Sequence, residues 1–196
     1  LIELAGIFSN WFSSSRLWLV KNSPEPKSYT YSDYYNQAGT MTTITTDLIS
    51  ADGLYYVNGD FEIDNQAVPN DYDDLTFNQI VFINGNLLIS DNIEIDPSST
   101  ALFIVNGKVD IAKSVENVHV GIFAEGNIHT AYDISEGEAT KTIFFKGVYS
   151  ADEFVFERTL QGTGNQNDPS DDFTFEPKYL IQLRDYFGEN HIIWKS

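Results

Sequence analysis

Acidic side chains are the residues of this sequence that are best suited to chemistry. Asp60, Glu62 and Asp64 alternate along a predicted strand, which places all three on the same face of it. Asp110 holds an equivalent position further along the chain. Two carboxylates that face a sugar chain can hydrolyse it, so Asp60, Glu62 and Asp110 are the catalytic candidates if the protein is an enzyme. Nothing in the sequence sets their separation, and a solvated polar face without catalytic residues is the expectation.

A second acidic group has the ligand chemistry of a calcium site. Asp71, Asp73 and Asp74 lie in one short predicted loop, and more carboxylates follow at 168–172. Carboxylate oxygens are ligands that Ca²⁺ prefers, so these loops could hold it. The spacing matches neither an EF-hand nor a nonapeptide calcium repeat. We therefore expect no cofactor, and Ca²⁺-dependent glycan binding stays as an alternative function.

The composition excludes several other classes of function. The 196 residues contain 29 acidic and 11 basic side chains, which gives a formal net charge of −18. Such a chain offers no basic groove for nucleic acid, and an anionic membrane surface repels it. There is no cysteine, which excludes disulfides, thiol catalysis and cysteine-based metal sites. His119, His129 and His191 show no ligand spacing, and neither a Gly-x-Ser-x-Gly motif nor a phosphate-binding loop occurs.

An internal repeat organises the middle of the chain. Each copy has an apolar run, a turn signal at a glycine, and mostly apolar residues two and four positions after that glycine. The period is roughly 22 residues, which is short enough for a repeat that stacks on its neighbours. The five copies are Leu54–Ile63, Ile80–Ile89, Leu102–Ile111, Gly121–Thr130 and Thr142–Ala151.

Two all-β architectures fit this repeat. Asn-Gly between apolar runs is a mark of a β-hairpin, and five hairpins would build a meander, a barrel or a sandwich. In a parallel β-solenoid each copy is instead one rung, and Asn-Gly turns a corner. The period suits three short strands, equivalent residues recur at equal offsets, and Ile93–Ile95 supplies a third strand that a hairpin lacks. These observations favour the solenoid, in which Ile89 lies over Ile111 and Leu87 over Val109.

The strands before the glycines are apolar at nearly every position, which predicts that both of their faces are covered. Apolar residues between Leu4 and Val20 supply one cover, as a packing helix or strand. The alternative is that this wall is a subunit interface, because large bare apolar patches mark contact surfaces. Its outward residues would then be Tyr56, Phe82, Ile104, Phe123 and Phe144.

Three segments follow from these patterns. Residues 1–50 form a covering and linker segment, 51–158 a solenoid of about five rungs, and 159–196 a loop and a short helical cap. The cap is placed within Pro177–Phe187, where apolar residues recur at near-helical spacing. No apolar run reaches the roughly 20 residues that span a membrane. The chain begins with Leu1 rather than Met, which is compatible with removal of an upstream signal or anchor.

The repeats resemble right-handed parallel β-helix proteins. The resemblance covers Gly53–Arg158, and its motifs are Gly-Leu-Tyr-Tyr-Val-Asn-Gly-Asp-Phe-Glu-Ile, Val-Phe-Ile-Asn-Gly-Asn-Leu-Leu-Ile and Phe-Ile-Val-Asn-Gly-Lys-Val-Asp-Ile. More narrowly, the chain is similar to uncharacterised bacterial β-solenoid proteins of the cell surface, including pilus-linked and polymer-forming ones. The resemblance implies an extracellular, non-enzymatic structural role, and it supplies no catalytic residue.

We therefore expect a structural or adhesive module at a prokaryotic cell surface, with an acidic face. Its expected partners are copies of itself or other surface proteins, in a filament or a similar extracellular assembly. A polysaccharide-acting lyase or hydrolase is one alternative, and a Ca²⁺-dependent glycan-binding module is the other.

Overall fold

The computed structural model describes residues 30–45, 51–64, 77–132, 141–160 and 168–181, and it shows a parallel β-solenoid of about four turns. Every pair of strands in these residues runs parallel. A hairpin would pair the two strands on either side of each Asn-Gly in antiparallel fashion. The solenoid prediction is therefore confirmed, and the hairpin alternative is wrong.

The described elements form three parallel sheets, which are the three walls of the solenoid. They are α1 Tyr31–Gln37, β1 Thr42–Thr43, β2 Gly53–Val57, β3 Phe61–Ile63, β4 Asn78–Ile83, β5 Leu87–Ile89, β6 Thr100–Val105, β7 Val109–Ala112, β8 Asn117–Val118, β9 Gly121–Ala124, β10 Ile128–Tyr132, β11 Ile143–Gly147, β12 Tyr149–Ser150, β13 Phe154–Val155 and β14 Asp171–Phe175. Sheet 1 has the order β1-β2-β4-β6-β9-β12, sheet 2 the order β13-β10-β7-β5-β3, and sheet 3 the order β14-β11-β8.

Equivalent apolar side chains stack directly over one another in the core. Leu87 is opposite Val109 and Ile89 is opposite Ile111, as the repeat predicts. Each of these four side chains is fully buried. Because strands are about 4.8 Å apart, these side chains form apolar columns along the first three turns, such as the one of Ile63, Ile89 and Ile111. A single turn cannot bury this surface alone, so the turns stabilise one another.

Glycine and asparagine form the corners between sheets 1 and 2. The N–H of Gly107 donates to the carbonyl oxygen of Gly85 at 2.9 Å, and a Cβ atom on Gly107 would lie only 2.7 Å from that oxygen. A side chain there would push the turns apart, so the corner requires glycine. Beside it, Nδ2 of Asn106 donates to Oδ1 of Asn84 at 2.9 Å, and Nδ2 of Asn84 donates to Oδ1 of Asn58 at 3.3 Å.

The fifth copy of the repeat does not begin a fifth rung. Its strand, β11, pairs with β8 in sheet 3, and Phe144 is opposite Asn117. Gly147 therefore lies at the corner between sheets 3 and 1, where an added Cβ would collide with the carbonyl oxygen of Val120. The predicted alignment of Phe144 with the other four wall residues is wrong for this reason, and the solenoid has about four turns instead of five.

Helix α1 covers part of the outer face of sheet 1. Thr30 caps it through a capping box with Asp33, and the Tyr31 ring packs edge-on against Phe82 with centroids 6.0 Å apart. The backbone N–H of Tyr31 donates to Oε1 of Glu125 at 2.6 Å. Glu125 replaces the asparagine of the earlier corners, so the departure from the repeat anchors the helix. The cover predicted between Leu4 and Val20 lies outside the described residues.

A second helix begins at residue 178 and is described as far as 181, within the range predicted for the helical cap. Its Tyr179 is buried beside sheet 1, and its hydroxyl donates to the carbonyl oxygen of His119 at 2.9 Å. Gly121 makes room for this ring, because a Cβ there would lie 2.5 Å from Cδ1 of Leu102 and 3.4 Å from Cδ1 of Tyr179. No helix in the described ranges is both long and apolar enough to cross a membrane.

Buried tyrosines should make the solenoid sensitive to alkali. Burial raises the pKa of Tyr31, Tyr149 and Tyr179 above the usual value. An unfolded tyrosine ionises near pH 10, whereas these three stay protonated in the folded chain. Above about pH 10 the unfolded state binds fewer protons than the folded state, so stability that is complete below that pH is lost as the pH rises. We expect the urea midpoint to fall steadily between pH 10 and 12.

The alkaline effect is checked by urea melts at pH 8, 9, 10, 11 and 12. In Tyr179→Phe the midpoint should fall less with pH, because one buried hydroxyl is gone. The matched control is Tyr132→Phe, since Tyr132 is exposed on β10. A midpoint that stays constant from pH 9 to 11 would contradict the prediction.

Candidate functional site: the acidic face, the aromatic patch and the aromatic end

The acidic face lies on the outer side of sheet 2. Glu62 is opposite Leu88, and Leu88 is opposite Asp110. Two strand spacings therefore separate the backbones at Glu62 and Asp110, which is roughly 10 Å, and an apolar side chain lies between the two carboxylates. A cleft of about 350 Å³ occurs at another corner and is lined by Glu94, Asp96, His119, Lys178 and neighbouring residues instead of these acids.

Two of the three catalytic candidates, Asp60 and Glu62, bind residues of the neighbouring turn. Oδ1 of Asp60 accepts hydrogen bonds from the backbone and side-chain nitrogens of Asn86, at 2.8 and 3.1 Å. Oε1 of Glu62 accepts a hydrogen bond from the Ser90 hydroxyl at 2.6 Å. These bonds join the first turn to the second. Asp60 and Glu62 therefore stabilise the contact between these two turns.

Asp110 is bound to a lysine of its own turn. Its Oδ2 lies 2.7 Å from Nζ of Lys108, and this hydrogen bond raises the pKa of the lysine. The Asp110 side chain is almost fully buried, so a water-borne substrate has little access to it. Asp110 and Glu62 therefore do not face one open site together.

The predicted calcium loop cannot be compared with the structure, because Asp71, Asp73 and Asp74 lie outside the described residues. Within the described ranges no three His, Asp or Glu side chains gather closely enough to hold a metal ion. In the second acidic loop, Oδ2 of Asp171 accepts a hydrogen bond from the Ser170 hydroxyl at 2.6 Å. That bond fixes the start of β14.

Four of the five predicted interface residues occupy one column of sheet 1. Tyr56 is opposite Phe82, Phe82 is opposite Ile104, and Ile104 is opposite Phe123. Phe82 and Ile104 are fully buried and belong to a small core that includes Tyr31 of α1. Tyr56 and Phe123 are half-buried at its two edges. The fifth residue, Phe144, is exposed on sheet 3.

Rings of α1 and sheet 1 form an aromatic patch, which consists of Tyr34, Tyr35, Tyr56 and Phe123. The Tyr34 and Phe123 centroids are 5.9 Å apart, and those of Tyr35 and Tyr56 are 5.6 Å apart. Tyr35 is 36% exposed, and the other three rings are half-buried. The patch is therefore a partly solvated extension of the buried wall.

A second group of rings, the aromatic end, closes the last turn and consists of Tyr149, Phe154, Phe156 and Phe173. Phe173 stacks on the buried Phe145 with centroids 4.4 Å apart. It also meets Tyr149 at 5.8 Å and Phe154 at 5.9 Å, so each sheet contributes one ring. Phe156 lies beside them and is 59% exposed, while Phe173 is 42% exposed. The sequence did not reveal this group, because β14 follows a loop and carries no repeat.

No family model, no curated protein and no solved structure matches this chain. The narrower resemblance to pilus-linked bacterial solenoids therefore has no relative that supports it.

Proposed function

We propose that this chain is a non-enzymatic structural or adhesive module of a prokaryotic cell surface, which associates with copies of itself through the aromatic patch. The single observation that carries the proposal is the partly exposed group of rings formed by Tyr34, Tyr35, Tyr56 and Phe123. Tyrosines are enriched in protein interfaces, because each ring offers a large apolar area and a hydroxyl that can hydrogen-bond at the rim.

The acidic face supports a structural role over a catalytic one. Asp60 and Glu62 bind the neighbouring turn, and Asp110 binds Lys108. An enzyme that hydrolyses polysaccharides needs one free acid and one free base, or a nucleophile, on opposite sides of the same bond. The carboxylates of Asp60 and Glu62 already bind the neighbouring turn, which fits a structural module better than an enzyme.

Light scattering and sedimentation at increasing concentration test the association. We expect the average mass to rise with concentration, and Tyr35→Ser should weaken the association about tenfold, which corresponds to roughly 1.4 kcal/mol. Added salt should strengthen the association, because each copy carries a formal charge of −18 and the copies repel one another.

The matched control is Tyr132→Ser, which removes an exposed tyrosine from another face. This variant should associate like the parent chain. A protein that stays monomeric at every concentration and salt level would contradict the proposed function, and so would equal losses in the two variants.

A further inference from the structure

Three Asn-Gly pairs occupy equivalent corners between sheets 1 and 2, at Asn58, Asn84 and Asn106. Asparagine is a chemically labile residue, and a following glycine speeds its deamidation because no side chain hinders the backbone nitrogen that reacts. The three pairs are identical in sequence. A difference in their reactivity would therefore come from the fold.

The pair at Asn106 is held at both of its reacting groups. Nδ2 of Asn106 donates to Oδ1 of Asn84 at 2.9 Å, and the backbone N–H of Gly107 donates to the carbonyl oxygen of Gly85 at 2.9 Å. In deamidation the side-chain nitrogen leaves and the backbone nitrogen of the glycine attacks. Both hydrogen bonds must therefore break before Asn106 can react.

The pair at Asn84 is held through its side chain. Oδ1 of Asn84 accepts the hydrogen bond from Asn106. Nδ2 of Asn84 donates to Oδ1 of Asn58 at 3.3 Å and to the Tyr56 hydroxyl at 3.4 Å. Gly85 is packed so closely that an added Cβ would collide with backbone atoms of the first corner. The Asn84 amide therefore cannot turn toward its own backbone without losing these contacts.

The pair at Asn58 is open by comparison. Asn58 is exposed, and its Oδ1 accepts hydrogen bonds from Nδ2 of Asn84 and, at 3.2 Å, from the Tyr56 hydroxyl. Among the described residues, neither Nδ2 of Asn58 nor the backbone N–H of Gly59 donates a hydrogen bond. Apart from its chain neighbours, no described atom lies within 4 Å of the place that a Cβ on Gly59 would take. Both reacting groups can therefore move, and the corner has room for them.

We propose that Asn58 deamidates spontaneously in the folded protein, whereas Asn84 and Asn106 are protected. The backbone nitrogen of Gly59 attacks Cγ of Asn58 and gives up its proton, and Nδ2 leaves as ammonia, so that a succinimide ring forms. Water then opens the ring at Cγ or at the backbone carbonyl carbon, which yields aspartate or isoaspartate. During the attack negative charge develops on Oδ1, where Tyr56 and Asn84 already donate hydrogen bonds that stabilise it.

The new carboxylate lies at the rim of the aromatic patch, because its oxygen is the hydrogen-bond partner of Tyr56. A consequence for association rests on the proposed function. Copies that meet through the patch already carry a formal charge of −18 each, and the added charge increases their repulsion. Deamidated protein should therefore associate several-fold more weakly than fresh protein, and added salt should reduce the difference.

Peptide mapping by mass spectrometry tests the reaction. The full chain is incubated at pH 8, once folded and once in urea, and the conversion of each asparagine to a carboxylate is followed with time. In urea the three sites should react at similar rates, because only the neighbouring glycine then acts on them. In the folded chain Asn58 should react at least about tenfold faster than Asn84 and Asn106, whose hydrogen bonds must open first.

Two variants show whether the hydrogen bond from Tyr56 assists the reaction. Tyr56→Phe should slow the deamidation of Asn58 a few-fold. Tyr35→Phe is the matched control and should leave the rate unchanged, because Tyr35 belongs to the same patch but makes no hydrogen bond to Asn58 in the described part of the chain. Equal rates at the three asparagines of the folded chain would overturn the proposal, and so would equal rates in the two phenylalanine variants.

Light scattering of Asn58→Asp tests the consequence for association. This variant carries the charge of the aspartate product and should associate several-fold more weakly than the parent chain. The control is Asn117→Asp, which adds the same charge on sheet 3 and should associate like the parent. Equal effects of the two variants would overturn the consequence. A parent chain that stays monomeric would contradict the proposed function, and the mapped rates would still decide whether Asn58 reacts.

Discussion

Ile111→Asp is expected to leave the chain unfolded at room temperature. Ile111 is fully buried in sheet 2, where it lies opposite Ile89. A carboxylate at this position would be surrounded by apolar side chains, and burying an unpaired polar group costs several kcal/mol even when it is protonated. Domains of this size are stable by only about 5–15 kcal/mol, and the same substitution also removes a packed aliphatic side chain.

Far-UV circular dichroism and a thermal melt measure the effect of Ile111→Asp. The matched control is Ile181→Asp, because Ile181 is 54% exposed and its replacement buries no charge. The control should melt within a few degrees of the parent. If Ile111→Asp kept a cooperative transition at the parent temperature, the inward column of sheet 2 would not be the core that the structure shows.

Arg158→Met is expected to lower the free energy of unfolding by about 3–5 kcal/mol, because it leaves several buried carbonyl oxygens without a hydrogen-bond donor, at about 1–3 kcal/mol each. Arg158 is only 6% exposed, and its guanidinium donates to five backbone carbonyls, at 2.9 to 3.4 Å. These carbonyls belong to residues 112, 113, 115, 130 and 141, so the one side chain joins the corners of two turns to a following segment. Burial lowers the pKa of Arg158, and nearby Asp171 and Glu116 oppose that effect.

Urea denaturation compares Arg158→Met with Lys141→Met, which removes an exposed cation whose Nζ lies 2.8 Å from Glu116. The Lys141 variant should change stability by less than about 1 kcal/mol, because exposed ion pairs contribute little. Arg158→Lys should rescue little of the loss, since an ammonium group has three donors and cannot reproduce the planar fork. Equal stability of the methionine variants would show that the carbonyls find other partners.

The repeat carries most of the information about the fold. The inward columns, the corners at Gly85 and Gly107, and the parallel order of the sheets follow from residues that recur at equal offsets, because stacking demands the same side chain over itself. The prediction that the fifth copy begins a fifth rung was wrong. Gly147 satisfies a close backbone approach just as the other glycines do, but it does so at a different corner. Sequence spacing alone does not distinguish one corner from another.

The surfaces were less predictable than the core. Tyr56, Phe82, Ile104 and Phe123 were placed correctly in one column, because their register follows the repeat. What lies on that column depends on contacts between residues far apart in sequence, such as Tyr31 with Glu125, and no local pattern encodes them. The same is true of Arg158, whose carbonyl partners Ala112, Lys113 and Val115, at and just after the end of β7, precede it by more than forty residues.

The corners between sheets 1 and 2 resemble one another closely, so the number of turns could change by duplication or loss of one repeat. Asn84 donates to Asn58 and accepts from Asn106, and Gly107 donates to Gly85 and accepts from Gly126, so a middle corner receives the same hydrogen bonds that it gives. A tandem duplication of the 22 residues from one asparagine to the next would add a complete turn. The added turn would make the same corner hydrogen bonds to its neighbours as the existing turns do. Adding or removing one repeat would therefore lengthen or shorten the solenoid by about 4.8 Å.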